Sequence, residues 1–513
     1  MTRPRIRILA RVIRTKIIAT LGPAVGSPDR LLRLFQAGCD VCRLNFSHGT
    51  LDDHLKMLRM IREAAMQHDA PVAVLGDLCG PKIRLGKVAD FASTGGIPID
   101  KGDTLIIARG TFVAEHTPGN DRRASSIYAN LVDDVQVGHR VLIEDGLLRF
   151  ICVDKTYNEL KLQCLAGGVL KSSKGINLPD THVTIPAITD QDWQCVEWAI
   201  ENDLDYLALS FVRSPDDIKL LQQSLVNRQS DIHIIAKIEK PEAITAIDEI
   251  ISASHGLMVA RGDLGVEIDL AHVPIIQKDL IRKCRLAAKP VIVATQMLQS
   301  MVDNSSPTRA EVSDVANAIF DGTDAVMLSG ETSVGKYATE AVHTMAHIAE
   351  VAEEFQDSAP DFRPPGGPDS RVMQISNAVA NAVAQIVKSM PIELVVLYSQ
   401  TGATARVFSK HRFPVPILAL SSDHKSLRQM ALHFGVMPTE LPPPQDMDDL
   451  VHQVDRLVQE RKIAQVGQRI VVVAGASLGT PGTRNAVVLH TVGSDFSNAK
   501  EQLSGMAITE VKT

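Results

Sequence analysis

The sequence predicts an α/β protein built on a (β/α)8 TIM barrel, with an inserted small β-barrel domain and a C-terminal open α/β domain. The first observation is a series of eight short apolar runs, most of them followed by a turn and a helix-like stretch. Near-continuous apolar strands that alternate with helices are typical of a parallel sheet covered on both faces, and eight such units close a barrel. The second observation is an interruption of about a hundred residues after the third run. The runs begin at Thr15, Cys39, Val72, Tyr206, His233, Gly256, Pro290 and Ala325.

The sequence of the interruption, residues 82–179, is typical of a small β-barrel. It contains KGDTLIIARG, VGHRVLIEDGLLRF and NELKLQCLAGGVL, which indicate short strands separated by Gly and Asp turns. Without it, residues 15–81 and 180–350 leave roughly 240 residues, close to the ~250 of a typical barrel of this class. We therefore predict a barrel domain interrupted by an inserted one.

The two ends of the chain differ from the barrel. Residues 351–370 predict the end of a helix and a linker rich in Pro and Gly. In residues 371–513 the runs IELVVLYSQ, VPILALS, RIVVVAGAS and NAVVLHTVG alternate with helical stretches, which predicts a separate open α/β domain, doubly wound by default. Residues 1–14 hold five arginines and no acid. A short targeting arm is the alternative there, but we expect a basic and poorly ordered tail.

Composition excludes several classes of protein. A net charge of −7 argues against a protein built mainly to hold nucleic acid. No apolar run approaches the ~18 residues of a membrane helix. The seven cysteines are scattered and odd in number, which favours reduced thiols in a cytoplasmic protein over a disulfide framework. Cys39 and Cys42 form one CxxC without a second pair at zinc-like spacing, so we interpret them as core residues.

Polar side chains cluster where the predicted barrel strands end. All carboxyl ends of a closed βα barrel lie on one face, where such barrels build active sites, so residues far apart in the chain would share a pocket. Taken singly, most of these residues are better explained as structural ion pairs, turns or loop residues. Taken together, on one rim, they favour a functional site. They are Arg43, Asn45, Ser47, Asp77, Lys237, Glu239, Arg261, Gly262, Asp263, Thr295, Ser329 and Glu331.

The residue types favour one kind of reaction. Glu239 and Asp263 supply the carboxylate oxygens with which proteins hold Mg²⁺, together with waters and substrate oxygens. Arg43 and Lys237 add fixed positive charge, and phosphoryl transfer depends mainly on positioning and charge stabilisation. No nucleophile is evident. The set therefore predicts direct, magnesium-assisted phosphoryl transfer.

Nine segments resemble the signature segments of the pyruvate kinase family, in the same order, over residues 15 to about 490. They are TKIIATLGP, CRLNFSHG, GDLCGPKIR, KGINLP, AKIEKPEA, MVARGDLGVE, KPVIVATQML, PTRAEVSDVANAIFDGTDAVMLSGET and GKYATEAV. The resemblance implies the three-part fold predicted above. It also implies a cytoplasmic glycolytic homotetramer that uses Mg²⁺, or Mn²⁺ in its place, to transfer a phosphoryl group from phosphoenolpyruvate to ADP.

The resemblance further implies a role for each matching residue. Glu239 and Asp263 would be ligands of the divalent cation. Lys237 would neutralise the phosphoryl group and the developing enolate oxygen, and Arg43 would contact the transferring phosphate. Gly262, Asp263 and Thr295 would contact the pyruvate moiety. The enolate would be protonated near Thr295, through water organised by Ser329 and Glu331. The residues expected to bind the nucleotide are Asn45, His48, Arg84 and Lys174. Because Lys174 belongs to the insert, we expect the insert to close as a lid.

The potassium site of the family is matched with one departure. Asn45, Ser47, Asp77 and the carbonyl of Leu78 match its ligands. Potassium-dependent members usually carry a glutamate before the following Ile-Arg pair, where this chain has Lys82. An ammonium group could supply the charge that potassium brings, so we predict activity that does not require a monovalent cation.

A candidate effector site lies in the C-terminal domain. In SQTGATAR a strand ends in a Gly/Thr-rich turn that opens a helix, an arrangement suited to phosphate, and ASLGTPGTRN, residues 476–485, offers a second Gly-rich loop. These resemble the family's pocket for phosphorylated sugars or nucleotides, although Gln400 stands where some fructose-bisphosphate-responsive members have a basic residue. An ordinary α/β loop is the alternative. The expected contacts are Ser399, Thr401, Gly402 and Thr404.

Two other functions are compatible with parts of the pattern. A catalytically silent metabolite sensor would keep the fold, but the intact set of charged rim residues argues against it. A magnesium-dependent lyase acting on oxo-acids would explain Glu239 and Asp263, but neither the inserted domain nor the nucleotide-side residues.

Overall fold

The first three barrel units alternate strand and helix as predicted. The computed structural model describes residues 12–89, 95–115, 122–358, 371–475 and 485–494. Ser27 caps the first helix by accepting a hydrogen bond from the Arg30 N–H, and Gly38 ends it in the left-handed region at φ 119°, where glycine is unstrained. The elements are β1 (Lys16–Thr20), α1 (Pro28–Ala37), β2 (Val41–Asn45), α2 (Leu51–His68) and β3 (Ala73–Asp77).

Apart from one short helix, the regular elements described in the inserted segment are β-strands, curled into a half-barrel with its own apolar core. Six of its strands form one sheet, and β4 and β10 form a separate two-stranded ribbon. Its elements are β4 (Ile97–Ile99), β5 (Thr104–Ala108), β6 (Arg122–Ser125), α3 (Leu131–Asp134), β7 (Arg140–Ile143), β8 (Leu148–Lys155), β9 (Glu159–Ala166), β10 (Gly168–Leu170) and β11 (Ile176–Asn177).

The chain then returns to the barrel for five further strands. Several of its helices begin with a capping box, in which a Ser or Thr and an acid three residues later satisfy each other's backbone N–H groups. The elements are α4 (Asp190–Glu201), β12 (Tyr206–Leu209), α5 (Pro215–Asn227), β13 (His233–Ile238), α6 (Pro241–Thr245), α7 (Ile247–Ala253), β14 (Gly256–Ala260), α8 (Arg261–Glu267), α9 (Val273–Leu286), β15 (Val291–Ala294), α10 (Arg309–Asp321), β16 (Ala325–Leu328), α11 (Gly330–Ser333) and α12 (Ala338–Ser358).

Eight parallel strands close the barrel in the order β1-β16-β15-β14-β13-β12-β3-β2, so all eight predicted barrel strands are confirmed. Successive side chains of a strand point to opposite faces. Ile18 therefore packs inside the barrel, whereas its neighbours Ile17 and Ala19 pack against the helices. Both faces are apolar, which explains the near-continuous apolar runs in the sequence.

The C-terminal domain has a five-stranded sheet with apolar clusters on both faces. Its order is β19-β18-β17-β20-β21, and only the last pair is antiparallel. The prediction of an open α/β domain is confirmed, although the edge strand β19 was missed. Its elements are α13 (Arg371–Ser389), β17 (Leu394–Tyr398), α14 (Ala403–Ser409), β18 (Ile417–Ser421), α15 (His424–Met430), β19 (Val436–Glu440), α16 (Met447–Glu460), β20 (Arg469–Gly475) and β21 (Asn485–Thr491).

The C-terminal domain packs against the amino-terminal end of the barrel. Ala431 and Leu432 belong to the cluster of apolar residues inside the barrel, and Tyr206 donates its hydroxyl hydrogen to the Gln429 carbonyl at 2.5 Å. The floor of the barrel is thus filled by side chains from another domain. The opposite end, where the strands terminate, is left for the polar residues.

Arg14 corrects the prediction of a disordered tail over residues 1–14. Its side chain is buried, pairs with Glu353 at 3.1 Å and with Asp357 at 3.0 Å, and donates to the Phe413 carbonyl at 2.8 Å. A single arginine therefore joins the start of the barrel to α12 and to the C-terminal domain. Residues 1–11 of the predicted tail and residues 359–370 of the predicted linker lie outside the described residues.

Two exclusions from composition agree with the structure. Six of the seven cysteines are buried, the seventh is partly buried, and none is in a disulfide; Cys39 and Cys42 are core residues, as predicted. Within the described ranges, no helix is both long enough and apolar enough to cross a membrane.

Candidate active site

A cavity of about 100 Å³ opens at the carboxyl ends of the barrel strands. It brings together residues that are up to 284 positions apart in the chain, from Arg43 to Met327, as the closed barrel predicts. The predicted site residues that line it are Arg43, Asn45, Ser47, Asp77, Leu78, Lys82, Lys237, Glu239, Asp263 and Thr295.

Lys237 is the most heavily engaged side chain of this cavity. Its ammonium group lies 3.3 Å from Asp77 Oδ1 and 3.0 Å from Glu239 Oε1, and donates to Ser210 Oγ at 2.7 Å. Burial alone would lower the pKa of Lys237, but the carboxylates of Asp77 and Glu239 outweigh burial and raise its pKa above the ordinary value. The lysine therefore remains protonated.

Arg43 shares Asp77 with the lysine. Its guanidinium donates to Asp77 Oδ2 at 2.6 Å and to Thr20 Oγ1 at 2.9 Å. Burial alone would raise the pKa of Asp77, yet Lys237 and Arg43 hold that pKa below its usual range. One buried carboxylate thus holds two cations side by side at the cavity.

Glu239 and Asp263 fit a divalent cation. Glu239 Oε2 accepts the Phe211 N–H at 2.7 Å, which orients the carboxylate. Burial, followed by the charge of Glu239, raises the pKa of Asp263 to about 6, because both effects disfavour the charged carboxylate, which a bound cation would favour. No group of three or more His, Cys, Asp or Glu suited to a metal occurs among the described residues. Two carboxylates, completed by water and substrate oxygens, are a typical magnesium site.

Thr295 lies in a strained turn at the end of β15. Its φ is 68° and that of Gln296 is 55°, a region that side chains other than glycine occupy at a cost. The Thr295 hydroxyl donates to the Ala294 carbonyl at 2.6 Å and accepts the Gly262 N–H at 2.9 Å. Gly262 therefore contributes to the site by holding Thr295, next to Asp263 on α8.

Ser329 and Glu331 do not line the cavity described above. Glu331 is buried, and its two oxygens accept the N–H groups of Ser329 at 2.7 Å and Leu298 at 3.1 Å. Leu298 ends the turn that begins at Thr295. The structure thus brings Glu331 to the base of the Thr295 turn and leaves its expected action on water as a prediction.

The expected potassium ligands lie together beside Lys82. Asn45 Oδ1 accepts the Ser47 N–H at 3.2 Å, and the Leu78 carbonyl accepts the Ser210 hydroxyl at 2.7 Å. The Lys82 ammonium lies 3.5 Å from Ser47 Oγ. A positively charged side chain is therefore present at the group of oxygens that would hold the ion.

The inserted domain and the rim enclose a second cavity of about 250 Å³. Arg84, Lys174, Lys82 and Asp263 line it, so two of the expected nucleotide residues face the same space as the expected cation ligand. Lys174 forms an ion pair with Glu144 at 2.6 Å. His48 is exposed on the loop after β2 and lines neither of these two cavities.

Comparison with known proteins identifies the family. The model of the pyruvate kinase barrel domain matches residues 12–342, and that of the pyruvate kinase alpha/beta domain matches residues 377–490. The chain belongs to the pyruvate kinase family. Pyruvate kinases use divalent cations, and their substrates are phosphoenolpyruvate and ADP.

Full-length relatives agree with this assignment. The chain is 40% identical to the pyruvate kinase of Corynebacterium glutamicum over 488 residues, which cover 95% of this chain and 99% of that protein. It is 39% identical over 491 residues to the pyruvate kinase of Staphylococcus aureus, covering 95% and 82%. The crystal structure of a pyruvate kinase from Cryptosporidium parvum superimposes with a TM-score of 0.83 at 33% identity, covering 93% of this chain and 96% of that one.

One residue of this candidate site was missed in the sequence. Ser210 connects Lys237 to the Leu78 carbonyl. It directly follows β12, and a polar residue just after a barrel strand is the signal that identified the others. The serine lies within the apolar run YLALSFV, and this context predicts a position inside the strand and not at its end.

We expect Lys237→Ala to reduce kcat on the order of 10²-fold or more, because it deletes a preorganised positive charge at the reacting group. Steady-state pyruvate formation at saturating substrates measures the effect. Lys219→Ala, which alters an exposed lysine on α5, is the matched control and should leave kcat unchanged. A near-normal rate in Lys237→Ala would show that the lysine has a different role.

Proposed function

We propose that this pyruvate kinase transfers the phosphoryl group at the rim of its barrel, between the 100 Å³ cavity and the 250 Å³ cavity under the inserted domain. The observation that carries the proposal is the buried group of Lys237, Asp77, Glu239 and Arg43. It presents two fixed cations beside an oriented carboxylate. Such a site suits an anionic substrate whose transition state spreads charge over phosphoryl oxygens.

Each residue then has a chemical task. Arg43 binds the phosphate of phosphoenolpyruvate, and protonated Lys237 stabilises the phosphoryl oxygens and the enolate oxygen that forms when the P–O bond breaks. Glu239 and Asp263 hold Mg²⁺, or Mn²⁺ in its place, and a divalent cation so held supplies charge neutralisation to the phosphoryl oxygens. Burial of Asp263, together with the nearby charge of Glu239, raises the pKa of Asp263, and this supports that assignment because a cation would favour the charged carboxylate.

Protonation of the enolate takes place on the Thr295 side. The Thr295 hydroxyl is fixed by Ala294 and Gly262, so it can direct a water or pass a proton at a defined position. Ser329 and Glu331 support this proton transfer indirectly, because the Glu331 carboxylate accepts the Leu298 N–H at the base of the Thr295 turn.

The nucleotide side comprises Asn45, His48, Arg84 and Lys174. Arg84 and Lys174 belong to the inserted segment and line the larger cavity together with Asp263. ADP bound there would meet cations from both domains. Closure of the insert over it would exclude water from the transfer.

A coupled assay tests this function. Pyruvate should form from phosphoenolpyruvate only when ADP and Mg²⁺ are both present, with one ATP for each pyruvate. If no sugar phosphate or nucleotide produces ADP-dependent turnover, the kinase proposal is contradicted. The metabolite-sensor alternative would then be favoured. Pyruvate release independent of ADP would favour a lyase.

We infer that the enzyme works without potassium because Lys82 supplies the charge. The charge of Lys82 acts on Asp263, and its ammonium lies beside Ser47. In buffers balanced by a bulky organic cation, adding potassium should change the rate little. Lys82→Glu should lower the potassium-free rate on the order of tenfold and make it recover with potassium, whereas Lys82→Gln should recover less. Strong stimulation of the unmodified enzyme by potassium would disprove the inference.

We propose a homotetramer, supported by two exposed apolar surfaces. On α10 and α12, Phe320 and Phe355 are 42% and 63% exposed, and Val351 lies nearby on α12. On the outer strand β21, Val487 and Leu489 are exposed. Two different surfaces that each pair with a second copy build a tetramer of two-fold symmetry.

Light scattering after size exclusion tests the assembly. The unmodified enzyme should have four times the 55.7 kDa chain mass, and Phe355→Glu should reduce the assembly because it places a charge in an apolar interface. Val226→Glu, which changes an exposed valine on α5, is the control and should leave the mass unchanged. A monomeric unmodified enzyme would contradict the proposal.

We propose that the turn containing Ser399, Thr401, Gly402 and Thr404 binds a phosphorylated effector. Gly402 has φ 72° and Ser399 is buried, so the turn is well defined before α14; residues 476–484 of the second predicted loop lie outside the described residues. A panel of sugar phosphates and nucleotides should contain one that lowers the half-saturating phosphoenolpyruvate concentration, and Thr401→Glu should abolish that response. A panel without any such response would contradict the assignment.

A further inference from the structure

The inserted domain meets the barrel rim at a buried carboxylate, that of Glu267. This residue ends α8 and is 2% exposed. Asn177, from β11 of the insert, donates its side-chain amide to Glu267 Oε1 at 3.0 Å. Lys240, from the barrel, donates to the same oxygen at 2.6 Å. Two donors, one from each domain, therefore share one oxygen of Glu267.

On the barrel side, this contact is joined to both expected cation ligands. Lys240 directly follows Glu239, and α8, which ends at Glu267, carries Asp263 in its first turn. A change in the position of Glu267 is thus transmitted along one short helix to Asp263. A change at Lys240 is transmitted to the adjacent residue, Glu239.

On the side of the insert, the contact is joined to the expected nucleotide lysine. Asn177 pairs with Leu142 of β7 in an antiparallel ladder. Lys174 lies three residues before Asn177, and its partner Glu144 directly follows β7. The turn after β7 also rests on α8, because a Cβ atom added at Gly146 would lie 3.6 Å from a methyl carbon of Val266.

The two carboxylate oxygens of Glu267 differ in their hydrogen bonding. Its Oε2 atom is buried and makes no hydrogen bond to any described residue, while Oε1 accepts from both donors. A buried acceptor without a partner reduces the net stability gained from the contact. A contact of moderate strength suits two domains that must separate when substrate enters and product leaves.

We propose that Asn177, Lys240 and Glu267 form a latch that holds the inserted domain closed over the barrel rim during phosphoryl transfer. Glu267 is a positioning residue in this proposal, since it acts through Asn177 and Lys240. The latch rests on the proposed function of the insert as a lid. It adds the contact that sets the balance between the open and closed lid.

Loosening the latch has a chemical consequence. An open lid weakens ADP binding and admits water to the phosphoryl group. Water then replaces ADP as the acceptor: its oxygen bonds to phosphorus, the bond from phosphorus to the enol oxygen breaks, and inorganic phosphate leaves. The enolate takes up a proton to give pyruvate. Pyruvate then forms without an equivalent of ATP.

Asn177→Asp tests the latch, because it places a second carboxylate against Glu267. We expect the KM for ADP to rise about tenfold, the size of a typical coupling between a conformational equilibrium and a ligand, and the ratio of pyruvate to ATP to rise above one. Asn158→Asp adds the same charge at an exposed position of the insert, and should change neither quantity.

The double variant Asn177→Asp with Glu267→Gln provides a rescue. The introduced glutamine amide can donate to the introduced aspartate, which restores a hydrogen bond of reversed direction, and the aspartate remains a partner for Lys240. We expect the KM for ADP to return to within about threefold of the unmodified enzyme. A purely structural contact would show changes in melting temperature without this reciprocal recovery of KM.

Several outcomes would overturn the latch. They are unchanged kinetics in Asn177→Asp, equal effects in Asn158→Asp, or a double variant no better than the single one. If Asn177→Asp does not fold, Asn177→Ala, which removes the donor without adding charge, carries the same test. An unmodified enzyme without ADP-dependent turnover would instead overturn the active-site proposal, so the two failures are distinguishable.

Discussion

The candidate active site depends on a buried lysine surrounded by acceptors from three strands. Lys237 extends from β13, and its partners Asp77 and Ser210 follow or end two neighbouring strands. A buried ion is tolerated only when partners replace the water it has lost, and removing one partner leaves the others uncompensated. Lys237, Arg43 and Asp77 therefore form a single electrostatic unit, which fixes positive charge at the rim before any substrate arrives.

The barrel brings these residues together, and strained backbone positions the groups beside them. Eight apolar strands leave their polar terminal residues at one end of a rigid scaffold. There, Phe211 and Thr295 both have positive φ, a conformation that the surrounding structure must enforce. The N–H of Phe211 bonds to Glu239, and the hydroxyl of Thr295 accepts from Gly262. Strained backbone thus lies beside the Glu239 carboxylate and the Thr295 hydroxyl.

The other two domains enclose the barrel from opposite ends. At the floor, Ala431 and Leu432 complete its interior. Lys410, just after α14, is buried against Asp324 at the start of β16 at 2.7 Å. At the rim, the insert contributes Asn177 to a carboxylate on α8. The barrel is therefore in direct polar contact with the domain of the candidate effector turn and with the inserted domain, which gives both a physical means of acting on the candidate site.

The sequence alone determined the class of fold, the eight barrel strands and most of the polar residues gathered at their ends, because apolar periodicity is a local property and a closed barrel places all strand ends together. It did not reveal β19, since Pro438 and the mixed polarity of VMPTE suit an edge strand that only its neighbour defines. Nor did it show that Arg14 is buried, because its partners Glu353 and Asp357 lie more than 300 residues away. Only the tertiary structure decided which acid neutralises which cation, that Ser210 supports Lys237, and that Glu267 connects two domains. Such pairings depend on distances between side chains on different elements, and folding alone sets those distances.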